Sequence, residues 1–237
     1  LDRVAVEAGG ILRLRLNWEL RTGYRPDDDL TFIWNVLDYQ SANYGSVQQT
    51  FSPEKWQPET ITTYHVIPIN PDAPAGRYDL QLAIGYKGGT FNRQIITSVK
   101  IPMPADQLFT EPPLVTFEDG QQRADLMNAV LESSEGQIRV NLVWRAGSSF
   151  GADYSVFIHL TPSDDPIPLV QGDAPPLNGR YPTSIWAVGE IIEDTHTLDI
   201  TSLPPGDYVI RVGLFHPEWG RLPSSQGDSI IVGEVSR

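Results

Sequence analysis

The chain contains no cysteine and only four histidines in 237 residues. Without a thiol it forms no disulfide, offers no thiolate to a metal and has no cysteine nucleophile, so a blue-copper site is excluded. The lack of cysteine does not fix a compartment. Positive charge is also scarce, with 17 Lys and Arg against 30 Asp and Glu and a net charge of -13. Phosphate backbones are bound by clustered Lys and Arg, so the expectation is no nucleic-acid partner, and anionic membrane surfaces are disfavoured for the same reason. No apolar run approaches the roughly 20 residues that span a bilayer. The chain opens at Leu1 with neither Met nor a signal-like segment, which reads as a processed product or an excised fragment.

Turn formers are plentiful, with 20 Gly and 20 Pro, and long helical patterns are scarce. This composition predicts an all-β chain. The length suits two domains of roughly 100 to 130 residues each. Two stretches carry the architecture. Pro74 to Tyr86 and Pro204 to His216 both place Pro and Gly before a Tyr, and a strand with apolar residues at every second position follows. The inward rows are Tyr78, Leu80, Leu82 and Ile84 in one stretch, and Tyr208, Ile210, Val212 and Leu214 in the other.

Other segments recur in the same order. Leu12, Leu14, Leu16 and Trp18 alternate with polar residues, and Ile138, Val140, Leu142 and Trp144 repeat the pattern about 126 positions later. Leu30 to Leu37 matches Tyr154 to Leu160, with Trp34 near the His159 position, and Trp56 with its sequel matches Trp186. Such order predicts a duplication, with a first sandwich over residues 1–107 and a second over 108–237. Thr31 to Leu37 reads as a strand covered on both faces, and Tyr39 to Gln57 shows little periodicity. Ala124 to Leu131 fits a strand or a short helix. The second domain differs by a long polar loop from Pro162 to Trp186, and loops are where sandwiches place function.

The second half carries Val156-Phe157-Ile158-His159-Leu160, Tyr181-Pro182-Thr183-Ser184-Ile185-Trp186, Gly189-Glu190, Pro205-Gly206-Asp207-Tyr208 and Val212-Gly213-Leu214-Phe215. Over residues 114–237 it resembles the β-sandwich modules found beside membrane-embedded glycosyltransferase-like proteins of Chloroflexi-type bacteria. That resemblance implies an extracytoplasmic, non-catalytic accessory domain. More broadly, both halves are similar to immunoglobulin-like and fibronectin-like sandwiches, in which a Gly-x-Tyr before a core strand forms a tyrosine corner. Tyr78 and Tyr208 fit that role. The fold expected is therefore two tandem immunoglobulin-like antiparallel β-sandwich domains.

No catalytic set emerges. Gly147-Ser148-Ser149-Phe150-Gly151 matches G-x-S-x-G but precedes a strand, whereas a nucleophile elbow needs a helix. His65, His159, His196 and His216 have no close metal spacing, and His159 reads as a neutral imidazole bonded to backbone or carboxylate. Asp27 to Asp29 and the pair Asp164 and Asp165 are candidate calcium oxygens without the spacing of an EF-hand. The expectation is no cofactor, no metal and no enzyme.

Trp18, Trp144, Trp56 and Trp186 are expected in the cores. Tyr44, Tyr181, Phe215 and Trp219 lie near or in loops, where an aromatic face can stack on a sugar ring. Asn178, Arg180, Tyr181 and Trp219 are the candidate ligand-binding residues, the first two supplying amide and guanidinium donors. The function expected is an extracytoplasmic module making protein or envelope-glycan contacts, as a subunit or ectodomain of a cell-envelope assembly. A membrane-attached partner, or a transmembrane segment outside the sequence, goes with it. The alternatives are a carbohydrate-binding appendage of a carbohydrate-active enzyme and a purely structural spacer.

Overall fold

The computed structural model describes all residues except 1–3, 20–27, 53, 55–59, 87–88, 90–91 and 105–108. The chain is all-β and divides into two compact units, Leu1–Pro102 and Met103–Arg237. Among the described residues no helix is long and apolar enough to cross a membrane.

The first unit contains β1 (Val4–Ala5), β2 (Ile11–Glu19), β3 (Leu30–Leu37), β4 (Asn43–Phe51), β5 (Thr60–Pro68), β6 (Gly76–Tyr86) and β7 (Asn92–Ile101). One sheet runs β1-β7-β6-β3-β4, and β2 pairs with β5 in a second layer. All pairings are antiparallel except β1 with β7, where a short strand runs parallel to the last one. Leu12, Phe32, Trp34, Val36, Ile67, Tyr78, Leu80 and Leu82 fill the space between the layers. Each fully buried side chain of this size contributes about 1.5–3 kcal/mol. β3 buries Phe32, Trp34 and Val36 on one face and leaves the alternate residues half-buried, so it is not covered equally on both sides. β4 forms where the sequence shows little periodicity. Its inward positions include Gln49, a polar residue that breaks the apolar alternation and bonds to His65.

The second unit contains β8 (Val115–Glu118), β9 (Arg123–Ser134), β10 (Gln137–Ala146), β11 (Ser155–Pro162), β12 (Val170–Gln171), β13 (Ile191–Asp199), β14 (Asp207–His216), β15 (Gly220–Arg221) and β16 (Ile230–Ser236). One sheet runs β13-β10-β9-β8, and the other runs β12-β11-β14 with β15 and β16 both pairing β14. β9 is a strand throughout, paired with β10 from Ala124 to Ser134. That pairing decides between strand and helix for Ala124 to Leu131.

Both tyrosine corners are present. The Tyr78 hydroxyl donates to the Pro74 carbonyl at 2.5 Å, and Tyr208 donates to Pro204 at 2.7 Å, four residues back in each case. Each bond pins the turn to the central strand that follows it. The register sharpens one correspondence: Ile158 faces Val212 as Trp34 faces Leu82, so Asn35 occupies the position of His159.

Candidate functional site

The segment from Pro162 to Trp186 is not a solvated excursion. β12 and two 3-10 turns, Pro176–Gly179 and Thr183–Ile185, lie within it, and Tyr181, Thr183, Ile185 and Trp186 are buried. Carboxylates tie the loop to the rest of its unit, two by holding its backbone and one, its own Asp173, by holding β11. Asp194 accepts the Leu177 N–H at 2.8 Å, Asp173 accepts the Ile158 N–H at 3.0 Å, and Asp153 accepts the Ser184 N–H at 3.1 Å. Backbone groups taken from water by the fold thus find charge-assisted partners.

His196 completes this anchor. Its Nε2 lies 2.7 Å from Asp194 Oδ2 and its Nδ1 lies 3.0 Å from the Gly172 carbonyl. Both nitrogens face acceptors, so the imidazolium, with two N–H donors, satisfies both. Burial pulls the His196 pKa down, but the Asp194 hydrogen bond and charge, the Gly172 carbonyl and Asp173 outweigh it and hold it above the ordinary histidine value. Gly172 approaches β13 so closely that a Cβ would lie 2.8 Å from Leu198 Cδ2.

Within the loop the backbone is strained. Leu177 and Asn178 have φ of 50° and 54°, and Gly179 has φ of 87°. A left-handed Leu costs about 1–2 kcal/mol, a strain that the surrounding contacts must hold in place.

An aromatic ladder leads from this loop to the surface. Trp186 packs edge-on to Phe150 at 5.6 Å, Phe150 edge-on to Tyr154 at 5.5 Å, and Tyr154 contacts His216 at 5.3 Å and Trp219 at 6.2 Å. The last rung is parallel: His216 and Trp219 stack at 4.0 Å with 17° between planes. Thr183 locks the ladder to the loop, since its Oγ1 accepts the Tyr154 N–H and donates to the Ala152 carbonyl, both at 2.8 Å. Tyr154 is buried, and burial together with the charge of Asp119 raises its pKa. Trp219 is 59 % exposed. It sits in the tight turn from β14 to β15, closed by Gly220 at φ 79°. One indole face is therefore fixed by His216 and the remainder meets solvent.

The four candidates are placed differently. Asn178 is exposed in the strained turn. Arg180 is half-buried, with its Nε enclosed and without a hydrogen-bond partner. Tyr181 is fully buried: its hydroxyl donates to the Glu190 carboxylate and accepts from the Met103 N–H at 3.2 Å, and its carbonyl accepts from Trp186 Nε1 at 3.1 Å. Its ring offers no open face. Trp219 has one, and the loop and the turn that carries Trp219 meet through the 150–154 segment. The bracing residues Tyr154 and His216 are absent from the sequence-based candidates, although Tyr154 stands next to its strand and His216 ends one.

Of the other candidates, Tyr44 is half-buried against Tyr78, and Phe215 is 39 % exposed. Asp27 and Trp56 lie outside the described residues. Asp28, Asp29, Asp164 and Asp165 are exposed, and Asp165 caps the Ile167 N–H at 2.9 Å. Among the described residues no three His, Asp or Glu side chains gather as a metal site. Ser148 accepts the Arg123 N–H at 2.8 Å, and β11, not a helix, follows Gly151. His159 lies 3.2 Å from the Asp173 carboxylate.

No protein-family model and no curated protein matches the sequence. Among solved structures the chain is similar to the FN1–FN3 domains of chicken CNTN1, at 13% identity and a TM-score of 0.25, covering 97% of this chain and 65% of that one. It is similar to the BSP domain of a biofilm associated protein at 13% identity and a TM-score of 0.18, covering 94% of this chain and 28% of that one. A purple acid phosphatase, PPD1 of yellow lupin (Lupinus luteus) seeds, follows at 15% identity and a TM-score of 0.22, covering 98% and 39%. The chain thus spans between 28% and 65% of the length of these proteins. At such TM-scores none of the three carries a functional argument.

Proposed function

We propose that this chain is a non-catalytic, extracytoplasmic β-sandwich module that contacts envelope glycans through the Trp219 face of its second unit. The observation that carries the reading is the exposed Trp219 indole stacked on His216 and braced by buried Tyr154. An aromatic plane held rigid before binding loses little conformational entropy when a sugar ring stacks on it. Glu218, next to Trp219 in the turn, and Arg221, just beyond it, supply polar groups for hydroxyls. Arg221 is itself positioned by Asp228 at 3.1 Å and by the Phe157 ring at 4.4 Å.

A non-catalytic role is supported by how the titratable groups are used. Asp173, Asp194 and Glu190 hold backbone N–H groups, and Asp125 binds Arg145 and Thr116. The resemblance of residues 114–237 to modules beside membrane-embedded glycosyltransferase-like proteins supports the extracytoplasmic address and a membrane-attached partner. The matching tyrosine corners and the shared pairings, β7-β6-β3-β4 with β16-β14-β11-β12 and β2-β5 with β10-β13, support a duplicated pair of domains, 1–107 and 108–237.

Incubation with a panel of glycoside and ester substrates, in parallel with retention on immobilised polysaccharides, tests this reading. Retention without turnover is expected. Turnover that disappears on replacing a single carboxylate would overturn it.

A further inference from the structure

The two units treat the same strand edge differently. In the second unit β10 is paired on both sides, by β13 and by β9. In the first unit β2, which pairs β5 as β10 pairs β13, has no strand on its other edge among the described residues. The segment that precedes it turns away, since Val4 and Ala5 pair β7 and the Val6 N–H donates to the Lys100 carbonyl at 3.0 Å. The outer edge of Ile11–Glu19 therefore presents the N–H and C=O groups of alternate residues, without a strand partner among the described residues.

The second unit shows what complements such an edge. Arg139 of β10 stands directly opposite Glu132 of β9, with a 3.5 Å ion pair, and Arg145 stands opposite Asp125 at 2.7 Å. On β2, Arg13 and Arg15 point outward and are exposed, and neither has an ion-pair partner among the described residues. Their neighbours on β5 are Val66 and Tyr64, which are 48 % and 66 % exposed and carry no charge to offset them. In a chain of net charge -13 this open edge bears positive charge at Arg13 and Arg15, with Glu19 at its far end as the one acidic residue of the strand.

We propose that the free edge of β2 is a docking site for an extended acidic peptide segment of a partner protein. The segment adds a strand to β2 as β9 does to β10, and its carboxylates, at alternate positions, face Arg13 and Arg15. Main-chain hydrogen bonds supply affinity, and the arginines select the acidic strand and set its register. A second copy of β2 is a poorer occupant, because self-pairing centred on Arg15 sets two arginines opposite each other, and in other registers the strand's single acid, Glu19, can face only one of its two arginines. The site is independent of the Trp219 face.

The test is an NMR titration of the full chain with a short blocked peptide alternating Glu and Val. The expected result is shift changes along Ile11–Glu19, with hydrogen-exchange protection gained at every second amide. Arg13→Glu with Arg15→Glu is expected to weaken binding about tenfold or more, since two attractive pairs become repulsive. Arg13→Gln with Arg15→Gln gives a smaller loss at unchanged thermal stability, and a peptide with Lys in place of Glu does not bind. Shift changes that map to another edge, affinity indifferent to the arginines, or no binding at millimolar peptide would overturn the proposal. So would self-association through β2 in sedimentation without peptide. In the no-binding case the arginines serve only to protect the edge from aggregation.

Discussion

His65 and His196 occupy the same position, the sixth, of the nine-residue strands β5 and β13, and each bonds through Nε2 to the side chain two residues before it. The partner decides their charge. Trp18 Nε1 donates to Thr63 Oγ1 at 2.7 Å, which leaves the Thr63 hydroxyl to donate to His65 Nε2 at 2.8 Å. His65 Nδ1 then donates to the Gln49 amide oxygen, and a neutral imidazole is fully satisfied. At His196 the partner is the buried carboxylate of Asp194, and an imidazolium is required.

The two histidines therefore couple stability to pH in opposite senses. Burial lowers the His65 pKa, so its contribution to stability is present above about pH 6.5 and is lost as pH falls through the folded value. The His196 pKa is raised, so its contribution is present below about pH 6.5 and is lost as pH rises through the folded value. Imidazole-resolved NMR titration is expected to place His65 below and His196 above the ordinary value. The reverse order would refute this account of the two sites.

Exchanging the partner should exchange the behaviour. Asp194→Thr is expected to bring His196 below about pH 6.5 and to destabilise the second unit by about 3 kcal/mol in urea unfolding, because a buried pair loses one member and the Leu177 N–H loses its acceptor. Amide exchange in the first unit should not change.

Tyr78→Phe and Tyr208→Phe each delete one hydroxyl and leave the ring in place. Each is expected to cost about 0.5–1.5 kcal/mol of stability, the net value of one hydrogen bond. Denaturant midpoints with unchanged m-values check it.

Asn178 tests the strain in the 162–186 loop. Asn178→Gly should change stability by no more than about 0.5 kcal/mol, whereas Asn178→Val at φ 54° should cost about 1–2 kcal/mol. Thermal unfolding of both variants reads the difference.

What was legible in the sequence were features whose cause is local. Pro-x-Gly-x-Tyr encodes the corner because the hydroxyl reaches back only four residues, to the Pro carbonyl. The alternation of Leu12 to Trp18 and of Ile138 to Trp144 encodes a strand with one face on the core. β4 was hidden because it is an edge strand whose inward Gln49 serves His65 from sixteen residues away. The loop from Pro162 to Trp186 reads only as long and polar, and its anchoring is hidden because the acceptors for its Leu177 and Ser184 amides, Asp194 and Asp153, lie outside it in sequence. The Asp194-x-His196 spacing does carry a signal, since residues i and i+2 of a strand share a face. Trp219 was legible as a loop aromatic, but its stacking on His216 depends on the turn geometry set by Gly220.

The most direct measurement is a glycan array probed with the wild-type chain and with Trp219→Ala. The indole is largely exposed, so the variant should stay folded, with a thermal midpoint lowered by no more than about 4 °C through the lost stacking on His216, and should lose binding to every glycan the wild type retains. Glycan binding that persists undiminished in Trp219→Ala, or an array on which the wild type binds nothing, would contradict the account.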